Sequence, residues 1–464
     1  MLLGLGGCAF QRYRPEPLAA ADDRAVRDER RAAANEFDDA SADTDGFRAL
    51  VALLRTRNPD VQAALARYRT LAARADIDTP WPNPTLSFGP RIGFDTTDSS
   101  NVVVPFVGLM LTLPLSGRLA RQDDVHRAAA AAALVDALAA FRERGLELRT
   151  AFCRAVAGSL RVELGIELMS AADAVEDAVE RAVAAGTLGS VEVTQYRLET
   201  AREAVRLVGA RRSAAEARAD LAALVALPPD AFDEALRTEL PPVPAELPPF
   251  DELLELVFAE NPRLARLRAE HELSERRLHL EIARQFPDLT FGPNFGGEPG
   301  EELKILGLPL GFQVPLFARN QQEVAAARAS RDERRVAYVS EAERVLTQLE
   351  RALTTTRLAV DERRILAEEV APAADAHLAA TQHAVEAGFA DALQLLDAER
   401  SWRAVQVELL EARLQEVLAW TRLERAVGYP LFTLADGHAD VHADATSAPE
   451  SELGTAASPT TDDQ

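Results

Sequence analysis

One pattern constrains this chain more than any other: its second half repeats the landmarks of its first at a nearly fixed spacing. Asn58-Pro59 returns as Asn261-Pro262, and Leu86-Ser87-Phe88-Gly89-Pro90 returns as Leu289-Thr290-Phe291-Gly292-Pro293, both 203 residues later. Leu113-Pro114-Leu115 matches Val314-Pro315-Leu316 at 201, while Ala185-Gly186 matches Ala387-Gly388 and Leu227-Pro228 matches Tyr429-Pro430 at 202. Five matches in one order require a duplicated unit. The expected organisation is a first repeat over 47–227 and a second over 251–432, joined across 228–250 by a connector rich in proline, Pro241-Pro242 and Pro248-Pro249 among them. A polar segment over 9–46 precedes the repeats, and an acidic tail over 433–464, with the composition of a disordered segment, follows them.

Each repeat contains a long helical hairpin. Residues 118–184 hold no proline, and the apolar or small positions Leu138, Phe141, Gly145, Leu148, Phe152, Ala155, Ser159, Val162, Ile166 and Met169 alternate by three and four. That is the seam of a coiled coil. Val339, Ala342, Leu346, Leu349, Leu353, Thr356 and Val360 keep the same alternation 201 residues on. A period of 3.5 implies left-handed supercoiling, and 67 unbroken helical residues reach about 100 Å. Gly186 and Gly388 end these helices, and return helices are expected over 191–224 and 392–427.

Before each hairpin lies a segment suited to a pleated surface, bounded by Pro and Gly: 85–94 with 102–115, and 289–296 with 303–317. Lengths near ten residues suit tilted strands that cross a bilayer, and Asp95–Ser100 and Gly297–Gly300 suit polar outer turns. Ile305, Gly307, Pro309 and Gly311 oppose Leu306, Leu308, Leu310 and Phe312, as a lumen face opposes a lipid face. Soluble hairpins capping a helical bundle have the same pattern, so both readings stand at this point.

Charge and cysteine usage narrow the function. An excess of 74 acidic over 51 basic residues, net −23, leaves no basic footprint for nucleic acid. No window approaches the ~20 apolar residues of a membrane-crossing helix. Leu2-Leu3-Gly4-Leu5-Gly6-Gly7-Cys8 reads as the end of a lipoprotein signal cut before an acylated Cys8, its basic start missing through a start codon set too far downstream; a chance apolar N-terminus with a free thiol is the alternative. Ala9 after it fits outer-membrane sorting. Cys153 beside Phe152 reads as a packed thiol. His377 and His383 fall on opposed helix faces, His438 and His442 lie in the tail, and His271-Glu272 lacks a second histidine, so no metal site, no cofactor and no catalytic cluster are expected.

With these residues in place, the chain resembles the TolC-like outer-membrane efflux proteins, the exit ducts of tripartite export systems. The resemblance runs over 47–430 and rests on the Asn-Pro opening of each repeat, Pro82-Asn83-Pro84-Thr85-Leu86, Leu113-Pro114-Leu115-Ser116-Gly117-Arg118, and the glycine-led tips. In texture it is nearer the heavy-metal cation branch than the multidrug branch. It implies a mainly α fold with a membrane β-barrel: four strands per protomer in a barrel shared by a homotrimer, and duplicated helical hairpins forming a coiled-coil tunnel. Implied partners are outer-membrane lipid, a periplasmic adaptor, and an inner-membrane pump of RND or ABC type; the duct itself conducts passively and is not an enzyme. Physics alone asks for assembly, because four strands cannot close a barrel and open edges do not survive in lipid.

The resemblance also implies sites. The tips Gly186, Thr187, Leu188, Gly189, Ser190 and Glu192, with Gly388, Phe389, Ala390 and Asp391, would dock the adaptor's own helical hairpin. Ala390 stands where family members often carry a basic residue, which puts an interprotomer salt bridge at the tip in doubt. Gln394 and Asp397 fall where acidic residues can ring a closed entrance; Gln394 brings no charge, so any ring is a single one at Asp397, weighed against a solvated helix-face aspartate. The rival to a duct is a peripheral coiled-coil scaffold lipoprotein without a pore.

Overall fold

A computed structural model of the chain describes residues 46–94, 101–184, 190–232, 239–244, 246–297, 304–387, 389–390 and 392–432, with isolated pieces at 15, 24–26, 28–30 and 32. Two short helices open each repeat: α1 (Gly46–Arg57) and α2 (Pro59–Ala75) in the first, α5 (Phe250–Glu260) and α6 (Pro262–Ala283) in the second. The first hairpin pairs α3 (Arg118–Ala184) with α4 (Ser190–Val225). The second pairs α7 (Gln321–Ile365), continued through a π turn (Leu366–Val370) into α8 (Ala371–Glu386), with α9 (Ala392–Val427). The strands are β1 (Thr85–Phe94), β2 (Asn101–Leu113), β3 (Leu289–Phe291), β4 (Asn294–Gly297), β5 (Lys304–Gly307) and β6 (Leu310–Phe312).

The duplication is written in hydrogen bonds. Asn58 caps α2, its Oδ1 accepting from the amides of Asp60 and Val61 while its Nδ2 donates to the Leu224 carbonyl at 2.8 Å. Asn261 does the same for α6: Oδ1 accepts from Arg263 and Leu264, and Nδ2 donates to the Ala426 carbonyl at 2.9 Å. Both asparagines are 2% exposed, so neither amide has water as an alternative partner. Each thus ties the start of its repeat to the end of its own return helix. Those return helices stop at twin left-handed residues, Ala226 (φ 54°) and Gly428 (φ 82°), 202 apart. The strand-to-helix passages are twins as well: Gly117 (φ 67°) precedes α3 and Asn320 (φ 54°) precedes α7, 203 apart.

The core lies part-way along the hairpins. Leu50, Leu54, Leu148, Leu221, Leu227, Phe232, Leu253, Leu264, Leu349, Trp420 and Leu423 are its largest fully buried side chains. Leu148 sits 30 residues into α3, so about 45 Å of helix separates the sheet from the core and about 50 Å runs on toward the tip. Cys153 is buried here, and burial pushes its thiol up to about 12, which keeps it unreactive. Arg149 and Glu424 form a buried pair; the Glu424 carboxylate also accepts from the amides of Leu431 and Phe432, fastening the chain's return past α9.

The seam differs in detail from the expected one. Positions Phe141 through Ala155 face inward as the spacing predicts, but Ile166 is 48% exposed and Leu168 is buried in its place. Toward the tip, α4 packs instead on Gly158 and Gly165, seven apart: a Cβ at Gly158 would sit 3.0 Å from the Ala214 Cα, and one at Gly165 3.1 Å from Leu207. In α7 the buried stripe is Val345, Leu349, Ala352, Leu353, Thr356 and Ala359: Leu349, Leu353 and Thr356 fall on the expected seam, Val345 and Ala359 stand one position before it, and Val339 is 51% exposed. The reason is packing against two neighbours, α6 and α9, so the buried arc is rotated and wider than a two-helix seam. The π turn before Pro372 has a local cause: proline cannot donate to the carbonyl of residue 368, and the helix loosens where that bond is missing.

Candidate functional site

The sheet is a four-stranded meander. β1 pairs antiparallel with β2, and β2 pairs with both β4 and β3 on its other side. The register is continuous through the second pair, with Gly108 opposite Asn294 and Leu111 opposite Phe291. Residues 289–297 therefore act as one strand interrupted at Gly292-Pro293, and 304–312 as one interrupted at Leu308-Pro309, because neither proline offers an N–H to the ladder. A Cβ at Gly292 would come within 1.8 Å of the Leu109 carbonyl oxygen, so only glycine fits that break. The last strand ends at Phe312, not at Phe317 as the sequence spacing suggested.

The two faces of this sheet differ in kind. Register places Leu86 beside Leu109, Phe88 beside Val107 and Ile92 beside Val103, with Phe295, Leu306, Leu310 and Phe312 carrying the same face across. Phe88 is 80% exposed and Leu306 76%. A continuous apolar face of this extent, uncovered in the isolated chain, is unstable in water and suited to lipid. The other face mixes Thr85, Ser87, Gly89, Arg91, Gly108, Thr112, Thr290, Asn294 and Gly296 with the apolar Val104, Phe106, Met110 and Ile305. Among the described residues both outer strands, β1 and the β5–β6 strand, keep one unpaired edge. Below the sheet, Trp81, Phe286 and Phe317 are exposed where a membrane–water interface would fall. Among the described residues no helix is long and apolar enough to cross a membrane.

At the far end, α4 and α9 are joined by charges that sequence reasoning missed. Arg400 reaches Glu199 at 2.5 Å, and Arg403 approaches Glu203 at 3.5 Å and Glu399 at 3.3 Å. Arg202 and Arg206 pair with Glu199 and Glu203 along α4 itself. The Glu199, Glu203 and Arg403 side chains are 4, 5 and 8% exposed, so this is a buried clamp between the two repeats. Burial works against the Glu199 carboxylate, but hydrogen bonds from Arg400 and Arg202 outweigh it and hold its pKa below the ordinary value. Burial raises Glu399, with Arg403 opposing. The available signal was Glu199 and Glu203 four apart facing Arg400 and Arg403 three apart.

The expected site residues fall unevenly. Cys8, Gly186, Thr187, Leu188, Gly189, Gly388 and Asp391 lie outside the described residues. Ser190 opens α4 and Glu192 sits in its first turn. Phe389 is 90% exposed at the second tip, where its amide and that of Ala390 both bond the Ala384 carbonyl, at 2.8 and 3.2 Å, and close the end of α8. Gln394 is exposed. The Asp397 side chain is 76% exposed and pairs with Arg400 at 3.2 Å, so its charge is partly offset. Among the described residues no group of three His, Cys, Asp or Glu side chains is placed to hold a metal.

Comparison with known proteins fits this geometry. Residues 253–429 match the outer membrane efflux protein family. The match lies within the second repeat, and the chain shares the fold of solved outer-membrane channels. The outer-membrane channel OprN superposes with a TM-score of 0.69 at 19% identity, over 83% of this chain and 90% of that one. VceC of Vibrio cholerae superposes with a TM-score of 0.65 at 17% identity, over 83% and 97%. At such identities the likeness is one of fold. The cobalt-zinc-cadmium resistance protein CzcC of Cupriavidus metallidurans is 29% identical over 255 residues, 54% of this chain; the match spans 59% of that relative's length. The chain therefore shares with these channels a fold in which a sheet stands on long helical hairpins.

Proposed function

We propose that this protein is the outer-membrane exit duct of a tripartite efflux pump, passing substrate passively from periplasm to exterior. The observation that carries the reading is the two-faced sheet with two unpaired edges, set on duplicated hairpins whose longest helix spans about 100 Å. Each free β1 edge pairs with the free β5–β6 edge of the next copy, a head-to-tail contact that closes into a ring. Three copies give a twelve-stranded barrel. Cys8, acylated, adds a lipid anchor beside the barrel. The tips dock the hairpin of a periplasmic adaptor, and the exposed Phe389 supplies an apolar contact there. An inner-membrane pump of RND or ABC type provides the energy; the duct performs no catalysis. The Glu199–Arg400 and Glu203–Arg403 pairs hold the repeats together near the entrance, and Asp397 and Gln394 face it.

Likeness to a protein named for cobalt, zinc and cadmium resistance supports divalent metal ions as cargo, over apolar drugs. A strain lacking the gene tests this: selective sensitivity to zinc, cobalt and cadmium salts is expected, restored by the gene in trans. Sensitivity to drugs and dyes alone would contradict the cargo, and sensitivity to neither would contradict the duct.

A further inference from the structure

The strands carry a charge the fold has no structural use for. Residues 85–94, 101–113, 289–297 and 304–312 contain no acidic residue, and their only basic ones are Arg91 and Lys304. Lys304 shares the apolar face at the loop end of β5, where a lysine stem reaches the interface. Arg91 lies six residues along β1, about 20 Å from its start and well inside an apolar band of about 25 Å. Its neighbours Phe88 and Ile92 belong to the apolar face, with Val107 and Val103 beside them, so Arg91 points to the opposite, lumen side. Lipid at this depth would not accept it.

The guanidinium is also held in place. It stacks on the Phe106 ring with 4.2 Å from Cζ to centroid. Its Nη1 lies 3.8 Å from where a Cβ would stand on Gly296, so the arginine reaches across β2 to β4 over a position without a side chain. Gly89, Gly93 and Gly108 leave the surrounding wall flat.

We propose that Arg91 is a selectivity residue: repeated around the closed barrel, it makes a ring of fixed cations on the lumen wall that favours anions over cations in the outer segment of the duct. The inference rests on the duct reading above. The ring contrasts with the segments that join the strands in sequence, which carry Asp95, Asp98, Glu298, Glu301 and Glu302. Cationic cargo then crosses this segment down its concentration gradient, slowed by the ring, while anionic or anion-complexed cargo is drawn through.

Three unit charges about one Debye length from the axis in ~0.1 M salt raise the anion-to-cation permeability ratio by roughly three- to fivefold. The test is the reversal potential of the full chain in planar bilayers under a potassium chloride gradient. Arg91→Gln is expected to lower the anion-to-cation ratio by that factor and Arg91→Lys to retain most of it. In the wild type the ratio should relax toward its Arg91→Gln value between 0.1 and 1 M salt. A conducting Arg91→Gln channel with the wild-type ratio would overturn the proposal. If that variant does not assemble, a wild-type ratio independent of salt would overturn it equally. A wild-type protein that does not conduct at all would refute the duct itself, and the ring with it.

Discussion

The twin stops at Ala226 and Gly428 make a prediction with opposite signs at equivalent positions. Both residues end a return helix in the left-handed region, at φ 54° and 82°. A Cβ in that conformation costs about 1–2 kcal/mol, while glycine forfeits about 0.5–1 kcal/mol in unfolded-state freedom. Ala226→Gly should therefore stabilise the first repeat by about 0.5–1 kcal/mol. Gly428→Ala meets the same backbone cost and a steric one, because its Cβ would fall 2.5 Å from the Pro262 Cδ and 2.7 Å from the Asn261 Cα. Those contacts would displace the residue whose side chain caps α6 and ties it to Ala426, so the net loss should be about 2–4 kcal/mol. In a chain this long one kcal/mol moves the midpoint by roughly 1–2 °C. Melting of detergent-solubilised protein at one fixed scan rate should rise by about 1 °C for Ala226→Gly and fall by about 3–6 °C for Gly428→Ala. Equal shifts in the same direction would refute the reasoning, since the shared left-handed backbone favours glycine at both sites and Gly428 adds the contacts with Asn261 and Pro262.

Two further expectations follow from buried charge. Arg403→Met leaves Glu399 buried without its cation and Glu203 with Arg206 alone, at a cost of about 3 kcal/mol, and should loosen α4 from α9 and raise the conductance of the reconstituted protein; unchanged conductance would show that the clamp does not hold the entrance. Glu416, whose pKa burial raises above 4.5 against the opposing charge of Arg363, binds its proton more tightly folded than unfolded. Its contribution is therefore present below about pH 4.5 and lost as pH rises through the folded value. Glu416→Gln should lose less stability than the wild type between pH 4 and pH 7, and parallel melting profiles over that range would contradict the assignment.

The long elements were legible in the sequence because local chemistry decides them. An absence of proline from Arg118 to Ala184 permits the unbroken α3, and the Asn-Pro pairs announce α2 and α6 through a cap that needs only its own next residues. Tertiary choices were not legible. Which face of α7 is buried depends on α6 and α9 together, and the part played by Gly158 and Gly165 depends on α4 packed against them. The placing of Arg91 opposite the apolar face and over Phe106 comes from the strand register and the fold, which the sequence pattern does not give. The clamp of Glu199, Glu203, Arg400 and Arg403 pairs one repeat with the other about 200 residues on, and the repeat spacing does not say that α4 and α9 meet there.

The account's central claim is that copies of this chain close their free sheet edges into a conducting barrel. Purifying the full chain from the outer-membrane fraction and recording it in planar bilayers tests that most directly. A heat-dissociable trimer on denaturing gels that produces stepwise conductance is the predicted result; a soluble, elongated monomer that leaves the bilayer silent would contradict it.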